Sequence, residues 1–141
     1  MTDAVAEYAH AIVAMAGVAV LLLLMSPVAA MRKQAQGLAP GAQPTPDYAD
    51  PAYRWHRAHG NLAESLGAFV AVTVAAILAG VNPAWVNALA SAFLALRVVL
   101  AVVHVAGVGR ADMGPRSIIY VAGWLVCLAL AGLAIWGVFQ A

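Results

Sequence analysis

The sequence predicts an all-α integral membrane protein that folds as a four-helix bundle. Hydrophobic residues make up 65% of the 141-residue chain and charged residues only 9%, whereas about 25% of the residues of an average soluble domain are charged. So few charges cannot solvate a domain of this size, which excludes a soluble enzyme, a disordered chain and a nucleic-acid binder with a broad basic surface. The charges are absent from stretches long enough to cross a bilayer, and the apolar runs lack the alternation of barrel strands.

The first membrane span is predicted over residues 8–31. No charge lies between Glu7 and Arg32, and about 20 apolar residues cross a hydrocarbon core of ~30 Å as a helix. The acidic flank at Asp3 and Glu7 differs from the basic start of a signal peptide, and Arg32 with Lys33 closes the run as a stop-transfer anchor does. We therefore expect this span to belong to the mature protein.

Three further spans are predicted, over residues 56–79, 83–107 and 117–139. The uncharged stretch between Glu64 and Arg97 is divided by a turn at 80–83. Pro83 suits the first turn of the third span, where its missing N–H is not needed. No charge follows Arg116 before the C-terminus. Residues 1–141 are therefore predicted to form a single four-helix transmembrane domain.

Outside the predicted spans, lysine and arginine occur only in two of the connections, 32–55 and 108–116, whereas the N-terminus and the turn at 80–83 have none. The basic residues of the two loops are Arg32, Lys33, Arg54 and Arg110, and Arg116 stands where the fourth span opens. By the positive-inside rule, both loops are expected to be cytoplasmic and both termini outside, in the inner membrane if the source is bacterial. Four prolines favour an extended, non-helical first loop: Pro40, Pro44, Pro46 and Pro51.

The sequence offers no convincing metal or nucleotide site. Cys127 is the single cysteine, which excludes an intramolecular disulfide and a cysteine-cluster metal site. His56 and His59 are three residues apart, but no third ligand stands on the same turn. There is also no phosphate loop or nucleotide fingerprint. Metal-dependent chemistry is therefore not expected.

Polar residues inside the spans predict a pocket. Arg57, Asn61 and Glu64 are spaced i, i+4, i+7 and share one face of the second span. Arg97 and His104 share a stripe of the third span, and the fourth span opens with Arg116, Ser117 and Tyr120. A charged residue at the centre of a transmembrane helix costs about 2.5–3.5 kcal/mol unless it is paired or hydrated. These side chains are therefore expected to face inward and to meet in a polar pocket that opens toward the cytoplasm.

The same residues also have structural interpretations. Arg57 and Arg116 could extend to the interface as topology determinants, and Asn61 and Ser117 could link helices by hydrogen bonds. Glu64 and Arg97 could form an interhelical ion pair. Aromatic residues near the span ends, Tyr48 among them, are candidates for an interfacial belt with no ligand implied. Composition and spacing leave these alternatives open.

The segment 54–64, RWHRAHGNLAE, resembles the R-x-x-R-A-x-x-N-x-x-E motif of the MAPEG family, the membrane-associated proteins in eicosanoid and glutathione metabolism. This family includes microsomal glutathione transferases and prostaglandin E synthase. The likeness continues at Asn82-Pro83 and at 96–98, and residues 116–120 are similar to the R-S-x-x-Y opening of the fourth helix in prostaglandin E synthase. It covers about residues 10 to 139.

The resemblance implies a homotrimer in the membrane that binds glutathione, as cosubstrate, between adjacent subunits. It implies that Arg116 stabilises the glutathione thiolate and that the Ser117 hydroxyl donates to it. The residues that match positions binding or bracing the tripeptide are Arg32, Arg57, Asn61, Glu64, His104 and Tyr120. One departure is Gly60, which stands where several members place a cationic or polar residue that contacts glutathione.

Two functions follow from these observations. The first is a glutathione-dependent transferase or peroxidase that acts on small lipophilic electrophiles, and the Arg116-Ser117-Tyr120 set favours it. The second is a non-catalytic protein of the same fold that binds a lipid or another anionic ligand, and Gly60 favours it. A small transporter-like bundle is disfavoured because no broken helix or internal repeat is evident.

Overall fold

A computed structural model describes residues 3–109 and 114–140. The elements are a short helix, α1, and four long helices, α2 to α5: Asp3–Ala6, Ala9–Gln34, Pro51–Leu78, Pro83–Ala106 and Pro115–Val138. Each of the four long helices is long and apolar enough to cross a membrane. The chain is therefore an integral membrane protein with an all-α four-helix fold. Arg110, which the sequence assigns to a cytoplasmic loop, lies outside the described residues.

Two helix ends differ from their predicted positions by three residues or more. α2 continues to Gln34, three residues past its predicted end, and α3 begins at Pro51, five residues before its predicted start. The early start has a local cause, because the Asp50 carboxylate accepts hydrogen bonds from the backbone N–H groups of Ala52 at 2.9 Å and Tyr53 at 3.4 Å. Pro51 occupies the first helical position, where proline is favoured, so it starts a helix and does not extend the loop.

The four long helices form a bundle in which α3 and α4 lie at the centre. α3 packs against α2, α4 and α5, and α4 packs against α2, α3 and α5. The turn between α3 and α4 places Gly80 at φ +65°, and Asn82 caps α4 by accepting from the Ala84 N–H at 2.9 Å. As predicted, α4 then begins at Pro83.

The interior of the bundle is tightly packed and apolar. The rings of Phe69 on α3 and Phe93 on α4 stack with centroids 4.0 Å apart, and both are fully buried. Val18 and Leu130 complete this core from α2 and α5. Many large apolar side chains point outward instead, Leu78 and Trp136 among them. A helix bundle presents an apolar exterior to lipid, so the surface and the lengths of the spans both indicate a protein embedded in a membrane.

The end of the bundle near the N-terminus is closed by hydrogen bonds. The Tyr8 hydroxyl donates to the carbonyl oxygen of Val81 at 2.6 Å. The Asn87 side chain accepts from the Ala11 N–H at 2.9 Å and donates to the Glu7 carbonyl oxygen at 2.7 Å. These bonds fasten the start of α2 to the α3–α4 turn and to the beginning of α4. The polar residues predicted to form a pocket are grouped near the opposite end.

Candidate functional site

A polar cavity of about 350 Å³ lies between α3, α4 and α5, beside the segment that precedes α3. Its walls are Tyr48, Arg57, Asn61, Glu64, His104, Arg116, Ser117, Tyr120 and Val121. Seven of the eight residues that the sequence proposes for a site therefore line one cavity. The exception is Arg32, which is exposed at the end of α2 and is absent from the walls.

Helix periodicity explains how α3 and α5 contribute side chains to the walls of the cavity. Arg57, Asn61 and Glu64 are separated by one and then nearly one further turn, so they present one face of α3 to the cavity. On α5, Arg116 and Tyr120 are four residues apart and share a face in the first turns after Pro115. Arg116 is 6% exposed, which places a guanidinium group at the buried edge of the cavity.

A hydrogen bond across the bundle fixes the α3 wall. The Nδ2 atom of Asn61 lies 2.8 Å from Nε2 of His104 on α4. His104 is buried, with an exposed fraction of 4%. Because this bond joins the middle of the Arg57–Glu64 face to α4, it holds the face in position relative to the adjacent helix. Asn61 therefore links two helices and lines the cavity at the same time.

Tyr48 is a site residue that the sequence alone does not reveal. Its ring lies under the guanidinium group of Arg116, whose Cζ is 3.9 Å from the ring centroid. The ring also stacks at 6.3 Å on His104 and meets Tyr53 edge-on at 5.1 Å. Tyr48 thus lies in the cavity wall against Arg116 and not in an interfacial aromatic belt. Contact with Arg116 depends on how the loop folds back over the bundle, and no sequence spacing encodes that.

The first arginine of the sequence motif has a structural role. Arg54 donates from Nη1 to the carbonyl oxygens of Tyr48 at 2.8 Å and Ala49 at 2.9 Å, and from Nε to the carbonyl oxygen of Val105 at 3.2 Å. Its guanidinium lies against Gly107, which ends α4 at φ +69° and where a Cβ would come within 3.1 Å of Arg54. Arg54 thus ties the loop to the end of α4 and sets the position of Tyr48.

The suggested ion pair between Glu64 and Arg97 is not formed in the described part of the chain. Arg97 is 3% exposed, and its Nε and Nη1 atoms have no hydrogen-bond partner. Its guanidinium carbon lies 4.6 Å from the Phe93 ring centroid and 5.3 Å from that of Tyr120. Glu64 is exposed on the single chain. The Arg97 side chain thus packs against aromatic rings. An ion pair with Arg97 therefore does not explain the presence of Glu64 in the second span.

The arrangement defines an integral membrane four-helix protein with a basic cavity at one end. A sequence profile of the MAPEG family matches residues 10–136. The chain therefore belongs to the MAPEG family, whose members include glutathione transferases and non-catalytic proteins. Neither a curated protein nor a solved structure gives a significant match to the chain.

Proposed function

We propose that this protein is a membrane-bound, glutathione-dependent transferase or peroxidase that acts on lipophilic electrophiles. The observation that carries the proposal is the charge pattern of one cavity: Arg57, Arg116 and Glu64 share its walls with Asn61 and Ser117. Glutathione has two carboxylates, one ammonium group and one thiol. The two arginines and Glu64 complement the charges of that ligand, and charge-assisted hydrogen bonds are stronger than hydrogen bonds between neutral groups. In this assignment Glu64 binds the ammonium group and Arg57 a carboxylate.

Arg116 is proposed to stabilise the glutathione thiolate. A free thiol has a pKa of about 8.5 and is mostly protonated at neutral pH, and a nearby cation lowers that pKa. Arg116 stands in the first turn of α5, where the helix dipole adds partial positive charge. The Ser117 hydroxyl, on the adjacent residue, supplies a hydrogen-bond donor. The thiolate then attacks an electrophile that enters from the bilayer, and no acid–base pair is needed to generate the nucleophile.

The proposal also includes how copies of the chain assemble and how the chain is oriented in the membrane. Glu64 is exposed on the single chain although it lies within a membrane-spanning helix. A carboxylate in that position is costly against lipid, so a second copy of the chain is expected to cover it. We propose a homotrimer in which the cavity faces a neighbouring subunit. The basic loop residues support a cytoplasmic position for the cavity by the positive-inside rule.

The test is the ultraviolet difference absorbance of thiolate when glutathione is added to the purified protein in detergent. The wild-type protein is expected to give a saturable thiolate signal. Arg116→Gln removes the cation and should abolish that signal, whereas Arg116→Lys keeps the charge and should retain part of it. S-methylglutathione is the ligand control, because it fills the same cavity without an ionisable thiol. Equal thiolate signals from wild type and Arg116→Gln would contradict the proposed role of Arg116.

The second candidate is a non-catalytic family member that binds a lipid or another anionic ligand through the same cavity. Gly60 favours it, because several members have a cationic or polar contact at this position. A Cβ at Gly60 would meet nothing within 4 Å, so no packing requirement of the described chain explains the missing side chain. Binding of an anionic lipid without any binding of glutathione would favour this function over the first.

A further inference from the structure

Tyr48 lies in the segment between α2 and α3, and its side chain lines the same cavity as Arg116. We propose that Tyr48 is the residue that positions Arg116 for stabilisation of the thiolate, and that it acts through its aromatic ring and not through its hydroxyl group. The inference rests on the proposed function, because it assigns a positioning residue to the arginine that stabilises the thiolate.

The ring restrains the guanidinium group without using its hydrogen-bond donors. Cζ of Arg116 lies over the Tyr48 ring, 3.9 Å from the centroid, and a cation over an aromatic ring is attracted within about 6 Å. The N–H donors of a guanidinium group lie in the plane of the group. A ring stacked on this cation therefore does not compete with a thiolate, which would accept hydrogen bonds from those donors.

A restrained Arg116 stabilises a thiolate better than a mobile one. An arginine side chain has many rotamers, and fixing one of them costs conformational entropy. Arg116 is 6% exposed and already packs on Tyr48 in the ligand-free chain, so this ordering cost does not fall on glutathione binding. When the thiol releases its proton to water, the negative charge stays on the sulfur. A cation that is already in place stabilises that charge without further reorganisation.

The Tyr48 ring is itself held in place by its neighbours. Arg54 donates to the Tyr48 carbonyl oxygen at 2.8 Å and, at the end of α4, to the Val105 carbonyl oxygen at 3.2 Å. The rings of His104 and Tyr53 lie 6.3 Å and 5.1 Å from the Tyr48 ring, the first stacked and the second edge-on. Both the backbone and the ring of Tyr48 are therefore fixed relative to the bundle, which is what a residue that positions Arg116 requires.

The hydroxyl group of Tyr48 is the alternative source of an effect on the thiolate. Within 3–109 and 114–140 this hydroxyl makes no hydrogen bond, so it could donate to the sulfur directly. The ring and the hydroxyl can be separated, because phenylalanine keeps the aromatic face that attracts a cation and leucine does not. Tyr48→Phe and Tyr48→Leu therefore form a matched pair of variants.

The experiment measures the pKa of the thiol of bound glutathione, from the thiolate absorbance as a function of pH at saturating glutathione in detergent. Tyr48→Leu should raise this pKa and lower the ratio of thiolate to thiol about threefold, which is the scale of one cation–π contact. Tyr48→Phe should keep the wild-type pKa. The other ionisable residues of the cavity, Arg57, Glu64 and His104, are the same in every variant. An unchanged pKa in Tyr48→Leu would overturn the proposal, and so would an equal rise in Tyr48→Phe, because the hydroxyl would then be responsible.

Binding of S-methylglutathione separates positioning from a structural role. Tyr48→Leu should change its Kd less than about twofold, since the proposed function assigns the charged ends of the tripeptide to Arg57 and Glu64. Tyr53→Leu is the matched control, because it removes a ring that meets Tyr48 but does not line the cavity, and it should leave the thiol pKa unchanged. Weaker binding of S-methylglutathione by Tyr48→Leu with an unchanged thiol pKa would show a structural role and contradict the assignment.

The same titrations distinguish the two proposals. A wild-type protein that gives no thiolate signal would refute the proposed function, and the role of Tyr48 with it. A wild-type signal that Tyr48→Leu reproduces at every pH would refute the role of Tyr48 alone.

Discussion

Replacement of Glu64 by glutamine separates the two roles that its charge could have. In the described chain Glu64 is exposed and makes no hydrogen bond or ion pair with Arg97. Glu64→Gln therefore removes no interaction within the described chain, and its effect on the free energy of unfolding of the single chain should stay within about 0.5 kcal/mol. Breaking a buried ion pair would instead cost about 3–5 kcal/mol and lower the melting temperature strongly.

Glutathione affinity should respond to the same substitution. Hydrogen bonds to charged groups contribute about 1.5–3 kcal/mol. The lower end of that range corresponds to a roughly tenfold rise in Kd, which is the smallest effect expected. The assay is isothermal titration with glutathione and with glutaryl-cysteinylglycine, which lacks only the ammonium group.

A thermodynamic cycle makes this prediction specific. The loss of affinity should appear with glutathione and vanish with glutaryl-cysteinylglycine, because only the former has a group for Glu64 to bind. Glu7→Gln makes the same chemical change at an exposed position at the other end of the molecule and should alter neither titration. Equal losses with both ligands, or no loss with either, would refute the assignment of Glu64 to the ammonium group.

Further predictions concern the frame that positions the cavity, and all are measured as thermal unfolding in detergent. Phe69→Ala removes a fully buried ring from the stack with Phe93 and should cost about 3–5 kcal/mol, whereas Phe69→Leu should cost clearly less. Tyr8→Phe leaves the Val81 carbonyl oxygen without its donor and should cost about 1–2 kcal/mol with glutathione affinity unchanged. Asp50→Ala removes the cap of α3 and should cost about 0.5–2 kcal/mol, with Asp50→Ser as the capping control. Unchanged melting temperatures would contradict each of these contacts.

The membrane spans could be predicted from the sequence because charge is excluded from the hydrocarbon core. The early start of α3 lies where local chemistry outweighs that rule, because the Asp50 carboxylate caps the helix ahead of its predicted start. The cavity walls on α3 and α5 were also predictable, since Arg57, Asn61 and Glu64 follow the helical repeat. A fixed repeat carries this information within one helix, without any knowledge of the packing.

Contacts between helices and loops were not predictable in this way. Tyr48 reaches Arg116 only because Arg54 ties the loop to the end of α4, which is a tertiary arrangement without a sequence signature. Charge alone suggested that Arg97 pairs with Glu64. The structure places Arg97 against aromatic rings and Gly123, since the rotation of each helix in the bundle decides which side chains meet.

Equilibrium binding of glutathione to the purified protein tests the central claim most directly. A cavity whose walls include Arg57, Arg116 and Glu64 should bind glutathione saturably at millimolar concentration or below, at about one site per chain. Arg57→Gln should bind glutathione more weakly. No binding at millimolar glutathione would contradict the proposed function and leave the four-helix fold and the family membership unchanged.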